Sequence, residues 1–410
     1  MMRNKKILIS GAGVAGLALA YWLRHYGFSP TVLERAPVLR TGGYKVDIRG
    51  AALEVVKRMD LYAAISEART DIQGATIVDR FGNSVAEMSG DTFGLRVSAD
   101  LEIMRGDLCR LLKAQAGEIE YVFGNSIKAM AQESEGVLVQ FEQGIGRFEK
   151  GPDRIFDLVI GADGLHSSVR KLTFGADPHF MQELGLYISI FTVPNFLNLD
   201  RWEIEYADNH KLVNLYSARG ESDAKAAFLF VSKHLHFNPR DIKQQQRLLA
   251  DAYAGLDWEV PRLLEAMAHA PDFYFDSVTQ IKMDKWSKGR VALVGDAGYC
   301  ASPASGQGTS LALVGAFVLA GELAAASGNY ETAFSQYEKR MRRFVEENQR
   351  LGQVFAKNMT GENKNKWVVW LHDQFMRILP GKWMNFMTNR SVNRVKRAAN
   401  AITLADYFAV

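Results

Sequence analysis

The sequence predicts an α/β fold in which an open, mostly parallel sheet is interrupted by a second β-sheet domain and followed by C-terminal helices. At the N-terminus, a strand-like run at 6–10 precedes a glycine-rich turn, a helix and a second strand at 31–34. Two later apolar runs, at 156–161 and 289–294, also end in glycine and aspartate. Between them, from about 175 to 282, short alternating and aromatic-rich runs predict strands with one buried face. This order predicts one domain inserted between two parts of another.

The composition is that of an ordinary globular protein. The chain has 410 residues, 48% hydrophobic and 23% charged, which is enough for two hydrophobic cores and excludes a disordered, collagen-like or small disulfide-rich protein. Its net charge of +3 is too small for the basic surface typical of nucleic-acid binding. The two cysteines, Cys109 and Cys300, lie far apart and outside any metal-ligand spacing. We therefore predict no disulfide, no metal site and a cytoplasmic location. The oligomeric state cannot be read from the sequence, but nothing in it requires a partner chain, and we expect a monomer.

The apolar N-terminus has a second interpretation, as a secretory signal peptide. A basic segment precedes an apolar run at 7–23, which contains a small-residue sequence at 18–20. The same run holds glycines at the spacing of a strand–turn–helix unit and leads into another strand, so we favour a βαβ unit. A second apolar run, at 311–326, is interrupted by Glu322 and has helix caps, and we predict no membrane-spanning segment.

The turn at 11–16 has the Gly-x-Gly-x-x-Gly spacing that a dinucleotide requires between a strand and a helix. Gly11 permits the tight turn, Gly13 lets a pyrophosphate approach the backbone, and Gly16 lets helix and strand pack closely. The helix N-terminus favours the diphosphate charge. Glu34 would accept hydrogen bonds from a ribose and repel a 2′-phosphate, which disfavours tightly bound NADP. The predicted contacts of this unit are Gly11, Gly13, Val14, Ala15, Gly16, Glu34 and Arg35.

Two further strand ends carry turns of the same kind. One apolar run leads to Asp163, and the other leads to Gly295 and Asp296. A glycine loop at 303–308 then opens a helix, which we expect Thr309 or Ser310 to cap. In an open parallel sheet, ligands lie at the carboxyl ends of the strands. A ligand that touches all three turns must be long.

This combination resembles the FAD-dependent class A monooxygenases of the para-hydroxybenzoate hydroxylase type, over roughly residues 5–330. The resemblance implies a Rossmann-like FAD-binding domain at 1–174 and 283–328, and a substrate-binding β-sheet domain at 175–282. It places C-terminal helices at 329–410. It also implies bound FAD, transient NADPH or NADH as the reductant, molecular oxygen, and a small aromatic or polycyclic substrate.

The resemblance assigns a role to each turn. The glycine turn and Glu34 hold the ADP half of FAD, Asp296 binds the ribitol, and Asp163 serves both FAD and the reducing nucleotide. The loop at 303–308 flanks the isoalloxazine ring. Two assignments have alternatives, because Arg105 also fits a solvated helix start, and Asp47 with Arg49 fits a turn ion pair. The implied FAD contacts outside the first unit are Asp47, Arg49, Arg105, Asp163, Gly295, Asp296, Pro303, Gly306, Gln307 and Gly308.

Within this family, the sequence resembles in particular the tetracycline-inactivating monooxygenases, the tetracycline destructases. The runs that carry this likeness are 42–50, 274–283 and 294–308, with shorter ones at 191–195 and 232–234. The resemblance implies hydroxylation of the enol system of tetracycline, which would inactivate the antibiotic and confer resistance. Candidate substrate contacts are Tyr187, Phe191, Tyr216, Phe228 and His234, although core packing also explains the aromatic residues and a structural role also explains the histidine.

The implied chemistry belongs to the cofactor, so no catalytic side chain is predicted. Reduced flavin would react with O₂ and transfer one oxygen atom to a phenol or enol carbon, while the protein positions that carbon and excludes water. An aromatic or polyketide hydroxylase of unknown substrate, a non-oxygenating flavin reductase and a non-catalytic flavoprotein are the alternatives. A flavin halogenase is disfavoured, because its Trp-x-Trp-x-Ile motif is absent among the seven tryptophans.

Beyond residue 328 the pattern is helical, with amphipathic helices at 330–355 and 367–379. The tail at 382–397 carries lysine and arginine but no acidic residue, which is typical of a segment that binds a membrane surface. The resemblance gives another account, in which C-terminal helices pack across the domain interface and border the substrate cavity. We favour this second account.

Overall fold

A computed structural model describes residues 3–40, 42–97, 99–142, 153–239, 241–361 and 381–407. The strands are β1 (Lys6–Ser10), β2 (Ser29–Glu34), β3 (Lys45–Ile48), β4 (Gly74–Val78), β5 (Ser84–Ser89), β6 (Leu101–Met104), β7 (Glu120–Phe123), β8 (Ile127–Gln132), β9 (Val137–Phe141), β10 (Arg154–Phe156), β11 (Leu158–Gly161), β12 (Met181–Pro194), β13 (Trp202–Asp208), β14 (Lys211–Ser217), β15 (Asp223–Val231), β16 (Phe273–Ile281), β17 (Ser287–Lys288) and β18 (Val291–Leu293).

The helices alternate with these strands and are concentrated around the first sheet and at the C-terminal end. They are α1 (Val14–His25), α2 (Ala51–Arg58), α3 (Tyr62–Glu67), α4 (Gly90–Phe93), α5 (Arg105–Ala116), α6 (Ser168–Phe174), α7 (Ile242–Tyr253), α8 (Val260–Met267), α9 (Asp296–Tyr299), α10 (Gly308–Ala325), α11 (Tyr330–Thr360) and α12 (Gly381–Ala399). Short 3₁₀ turns span Asp177–His179 and Pro303–Ser305.

The first sheet has the strand order β17-β18-β11-β1-β2-β7, and its pairs from β18 to β7 are parallel. The strand ends are in register, because Ser10 pairs with Gly161 and Gly161 pairs with Leu293. The turns after β1, β11 and β18 therefore lie side by side at one edge of the sheet. This is the open α/β arrangement that the sequence predicts.

The helix α10 packs against α1, α2 and α11 in the core of this first layer. It is apolar on every side, and Phe317 packs edge-on against Trp22 of α1 with ring centroids 4.9 Å apart. Among the described residues, α10 is the one helix that is long and apolar enough to cross a membrane. However, 78% of its 18 residues are buried inside the protein. Its apolar composition is thus explained by the core that it fills.

The second sheet has the strand order β16-β12-β15-β14-β13-β4-β5. One face packs on α7 and α8 through a cluster of aromatic and aliphatic side chains. The other face lies toward the first sheet and carries polar side chains. The strands β4 and β5, at 74–89, belong to this sheet, although the predicted boundary placed them with the nucleotide-binding part. The parallel partner of β4 is β13, more than 100 residues away along the chain, and strand alternation does not reveal such a partner.

The C-terminal helices pack on the first layer. Asn348 of α11 donates a hydrogen bond from Nδ2 to the carbonyl oxygen of Ala398 in α12, at 3.1 Å, and Val395 is buried. Farther on, the Tyr407 hydroxyl donates to the buried carboxylate of Glu322, at 2.6 Å. The predicted helix at 367–379 lies outside the described residues.

The buried side chain of Arg170 ties two of the strand-end turns together. Its guanidinium donates to the carbonyl oxygens of Leu165, at 2.7 Å, and of Ala297, at 2.9 Å. The same group forms an ion pair with Asp177, at 2.6 Å, to which the exposed Lys171 also binds, at 2.8 Å. A planar guanidinium serves all three acceptors at once, which an ammonium on a flexible stem does not.

We expect Arg170→Met to lower the free energy of unfolding by about 3 kcal/mol, because the change leaves the buried Asp177 carboxylate and two carbonyl groups without their donor. The matched control Lys171→Met removes an exposed partner of the same carboxylate and costs at most about 1 kcal/mol. Urea unfolding followed by circular dichroism measures both. Equal losses in the two variants would contradict this account of Arg170.

Candidate functional site

The turn between β1 and α1 has no space for side chains at two of its glycines. Gly11 has a φ of +110°, and a Cβ atom there would lie 2.5 Å from the carbonyl oxygen of Ala162. A Cβ atom on Gly16 would overlap the carbonyl oxygen of Gly11. Backbone atoms therefore leave room only for glycine at both positions, as we predict for a tight turn at Gly11 and for close helix packing at Gly16. Val14 and Ala15 begin α1, and no side chain caps that helix, so its N-terminus faces the open edge of the sheet.

The carboxylate of Glu34 is fixed beside this turn. Its two oxygens accept hydrogen bonds from the backbone N–H groups of Ala12, at 2.9 Å, and Ala36, at 2.8 Å. Each oxygen keeps a further lone pair, so the group can still accept a hydrogen bond from a ligand hydroxyl. The neighbouring Arg35 side chain is exposed.

Arg105, at the start of α5, is a partly buried cation beside the glycine turn. Its Nη2 atom lies 3.4 Å from the position that a Cβ atom on Gly13 would occupy, and Gly43 packs against its stem. Burial by itself lowers the pKa of Arg105, but Cys109, Tyr44 and Asp296 together hold that pKa above its usual value. The side chain forms no ion pair or hydrogen bond with residues in the described ranges. This guanidinium is therefore available to bind an anion. Because the side chain is partly buried, it is not the solvated arginine of the alternative interpretation.

The carboxylate of Asp163, after β11, is used within the protein. It accepts hydrogen bonds from Ser167 Oγ, at 2.5 Å, and from the backbone N–H groups of Ser168 and Val169, at 2.8 and 3.1 Å. Burial raises the pKa of Asp163 above its ordinary value, although these three donors oppose the rise. Asp163 thus shapes the turn by capping α6, and its predicted contact with a cofactor stays a prediction.

Asp296, after β18, points the other way and is accessible in the cleft. Its Oδ1 atom lies 3.9 Å from the position of a Cβ atom on Gly308, so the carboxylate faces the start of α10. Enclosure by protein raises the pKa of Asp296, while Cys300 and Arg105 act to lower it. The preceding Gly295 packs against Ala15, which brings this strand end close to α1.

The loop at 303–308 presents the uncapped N-terminus of the 18-residue helix α10. The helix starts at Gly308, so the predicted caps Thr309 and Ser310 lie inside its first turn, and the Ser310 hydroxyl instead accepts a hydrogen bond from Arg49 N at 3.1 Å. The loop follows Pro303 and turns at Gly306, which has a φ of +61°. The Gln307 side chain is fully buried, and neither its Nε2 nor its Oε1 atom has a partner in the described chain.

Asp47 and Arg49 form the ion pair that the alternative interpretation expected, with 2.8 Å between Oδ2 and Nη2. Arg49 also donates to the carbonyl oxygens of Leu95 and Gly94, at 3.0 and 2.7 Å. Burial raises the pKa of Asp47, and Arg49 opposes that rise. The Oδ1 atom of Asp47 and the Nε atom of Arg49 remain buried without a partner among the described residues.

Taken together, the cleft fits a long phosphorylated coenzyme with a polar, planar ring. One end offers a glycine cradle, a helix N-terminus and the free guanidinium of Arg105, which suit a diphosphate. The other end offers a second helix N-terminus and the orphaned polar atoms of Asp47, Arg49 and Gln307, which suit the hydrogen-bonding edge of a flavin ring. These are the features that FAD requires.

The second sheet covers this cleft with residues that the sequence prediction mostly missed. The Tyr216 hydroxyl accepts a hydrogen bond from Lys45 N, at 3.2 Å, which places that predicted residue against β3. The rings of Tyr44 and Tyr274 lie 6.4 Å apart across the domain boundary. His166 Nε2 is hydrogen bonded to Asp276 Oδ2, at 2.7 Å. Tyr44 and Tyr274 lie in two runs that carry the likeness to the tetracycline destructases, 42–50 and 274–283, which is the signal in the sequence that points to them.

The other predicted substrate residues do not face the cleft. Tyr187, Phe191 and Phe228 are fully buried on the opposite face of the sheet, where Phe228 packs edge-on against Tyr253 of α7 with centroids 4.8 Å apart. This is the core packing that the alternative expected. His234 is exposed and binds Glu183, with 2.7 Å between Nδ1 and Oε2, which is a structural surface role.

Comparisons with known proteins agree with this geometry. The profile of a family described as an FAD binding domain matches residues 4–351. A flavin-dependent monooxygenase of Legionella longbeachae is 40% identical over 409 residues, which are 99% of this chain and 99% of that protein. The solved structure of the tetracycline destructase Tet(51) is 39% identical, with a TM-score of 0.83 over 98% of this chain and 100% of the other. That of Tet(55) is 38% identical, with a TM-score of 0.84 over 99% and 100%.

We expect Arg105→Gln to raise the dissociation constant for FAD about tenfold to a hundredfold, because a charge-assisted contact with the diphosphate is lost. The stability of the apoprotein should not fall, since Arg105 has no ion-pair partner in the described chain. The control is Arg110→Gln, an exposed arginine on the same helix that pairs with Asp107. Titration of each apoprotein with FAD, followed by flavin fluorescence, gives the constants, and equal affinities in the two variants would refute the assignment.

Proposed function

Because the chain belongs to this family of FAD-binding proteins and is a flavin-dependent monooxygenase, we propose that it inactivates tetracycline antibiotics by inserting one oxygen atom, with NADPH or NADH as the reductant. One observation carries this proposal: the likeness to two tetracycline destructases covers nearly the whole chain. It includes the second sheet and extends past the end of the family profile into the C-terminal helices. The second sheet is the part that covers the cleft.

When bound, FAD supplies the electron transfer and the activation of oxygen. The chain's own residues bind and orient it. The amide groups of the glycine turn and the guanidinium of Arg105 hold the diphosphate, and Glu34 accepts a ribose hydroxyl. Asp296 lies between these groups and α10, where it can bind the ribitol chain. The N-terminus of α10 and the amide of Gln307 face the ring, and the helix dipole favours negative charge there.

The second sheet supplies the wall against which the substrate is positioned. Tyr274 and Tyr44 narrow the space between the sheet and the ring site, and Tyr216 holds β3 in place through Lys45 N. Burial raises the pKa of Tyr44 and of Tyr216, so both hydroxyls stay protonated at neutral pH and serve as hydrogen-bond groups. A wall of this kind excludes water and holds an enol carbon in one orientation, which are the tasks left to the protein in cofactor chemistry.

We place this reaction in the cytoplasm, where NADPH and NADH are available. Both cysteines, Cys109 and Cys300, are free and buried, and neither requires an oxidising compartment.

The test uses the purified holoenzyme with NADPH or NADH, a panel of tetracyclines and simple phenols, under ¹⁸O₂. We expect tetracycline to accelerate nicotinamide oxidation, to lose its absorption spectrum and to gain one labelled oxygen atom by mass spectrometry. Turnover of a phenol with tetracycline unchanged would instead identify an aromatic hydroxylase. Nicotinamide oxidation without label in any product would identify a flavin reductase.

A further inference from the structure

The cleft-facing side of the second sheet carries one continuous row of side chains. Residues directly opposite in neighbouring strands point to the same face. The register places Tyr274 beside Ile190, Ile190 beside Ala227, Ala227 beside Asn214, and Asn214 beside Glu205. Since Tyr274 contacts Tyr44 of the first domain, the whole row lies on the face that covers the cleft.

The middle of this row is apolar. Ile190 and Ala227 stand between the tyrosine and the asparagine, and in the next row Ile188 and Leu229 pack near Ala304 of the glycine loop. The face is therefore apolar along Ile190, Ala227, Ile188 and Leu229, between Asp276 on β16 and Glu205 on β13. A flat, largely apolar ligand would lie along it with its polar end toward that strand.

Two glutamates lie on β13 at this end, and they differ in their partners. Glu203 is buried, forms an ion pair with Lys45, and accepts a hydrogen bond from Asn214 Nδ2 at 3.1 Å. Lys45 is shared with Glu102, at 3.7 Å. Glu205 is half-buried and makes no hydrogen bond or ion pair with any residue of the described ranges.

The surroundings of Glu205 make it a strong acceptor for a cation. Burial raises its pKa to about 7, and the like charge of Glu203 adds to the rise, while Lys45 opposes it. Among the described residues, Glu203 and Lys45 are the charged groups that act on Glu205. Its cross-strand neighbours, Asn214 on β14 and Ile77 on β4, are uncharged. A cation beside the carboxylate would restore the ionised form at neutral pH.

We propose that Glu205 binds a protonated amine of the substrate, so that the enzyme selects polycyclic substrates with an alkylammonium group at the end remote from the apolar wall. The inference rests on the proposed function, because tetracyclines carry a dimethylammonium group. An unpaired carboxylate at one end of an apolar stretch is complementary to a ligand of this type. Glu205 is thus a specificity residue that holds the substrate by its charge and takes no part in oxygen transfer.

The test compares tetracycline with its 4-dedimethylamino derivative, which lacks the cation, in the wild-type and Glu205→Gln holoenzymes. We expect the variant to raise KM for tetracycline about tenfold, to leave kcat within twofold, and to leave KM for the derivative unchanged. Glu87→Gln is the matched control, because Glu87 is exposed on the far face of the same sheet. FAD absorbance per protein should be equal in all three proteins.

The pH dependence gives a second readout. Below about pH 7 the free carboxylate of Glu205 is protonated and loses its attraction for a cation. The ratio of KM values for tetracycline, variant over wild type, should therefore fall toward one as the pH is lowered from 8 to 6. A ratio that does not change with pH, or equal changes of KM for both ligands, would overturn the proposal.

The outcome also separates this inference from the function on which it rests. If the wild-type enzyme oxidises neither tetracycline nor its 4-dedimethylamino derivative, the proposed substrate is wrong. The role of Glu205 is then tested with tyramine and 4-ethylphenol, which differ in one ammonium group. Binding is then followed by the change in flavin absorbance. A preference for tyramine that Glu205→Gln abolishes supports the carboxylate as an amine site, and equal affinities in both proteins overturn it.

Discussion

Backbone contact at the first glycine turn is the constraint on which the rest of the site depends. The carbonyl oxygen of Ala162 lies where a side chain on Gly11 would begin, and the carbonyl oxygen of Gly11 lies where one on Gly16 would begin. The strands β1 and β11 can therefore end at the same level, with α1 starting directly above them. Gly295 packs in the same close way against Ala15, where a side chain would not fit, and this contact brings the third strand end to the same edge. Two helix N-termini then face one cleft.

The polar side chains around this cleft fall into two groups. The carboxylates of Asp163 and Glu203 and the two terminal nitrogens of Arg170 find partners within the protein, and they fix the geometry of turns and strands. Arg105, Gln307 and Glu205 have no such partner among the described residues. A buried polar group without a hydrogen bond costs about 1–3 kcal/mol, and a ligand in the cleft would satisfy these groups. In the proposed function, Arg105 and Gln307 face the two ends of FAD, and Glu205 faces the substrate.

What the sequence could predict was set by the range of the interactions involved. The glycine turn, the strand ends and the acidic residues that follow them are local patterns, and the structure has them where the sequence places them. The face of a strand toward a cleft is not local: both faces of β12 and β15 carry apolar residues, so alternation did not show that Phe191 and Phe228 point at α7 and α8. The same reason explains why the predicted domain boundary did not place β4 and β5 with the second sheet, since β13, the partner of β4, comes from a distant part of the chain.

The proposed role of Glu205 thus depends on strand register. A slip of one residue in β13 would turn Glu203 and Glu205 into the core and bring Trp202 and Ile204 to the cleft. The structure opposes this slip at the pairing with β4, where Trp202 lies over Gly74 so closely that a Cβ atom there would overlap its ring. The Trp202 indole also donates from Nε1 to Thr76 Oγ1, at 2.8 Å. A glycine and a tryptophan on the far face therefore keep Glu203 and Glu205 on the side of the cleft, although neither one touches the cleft.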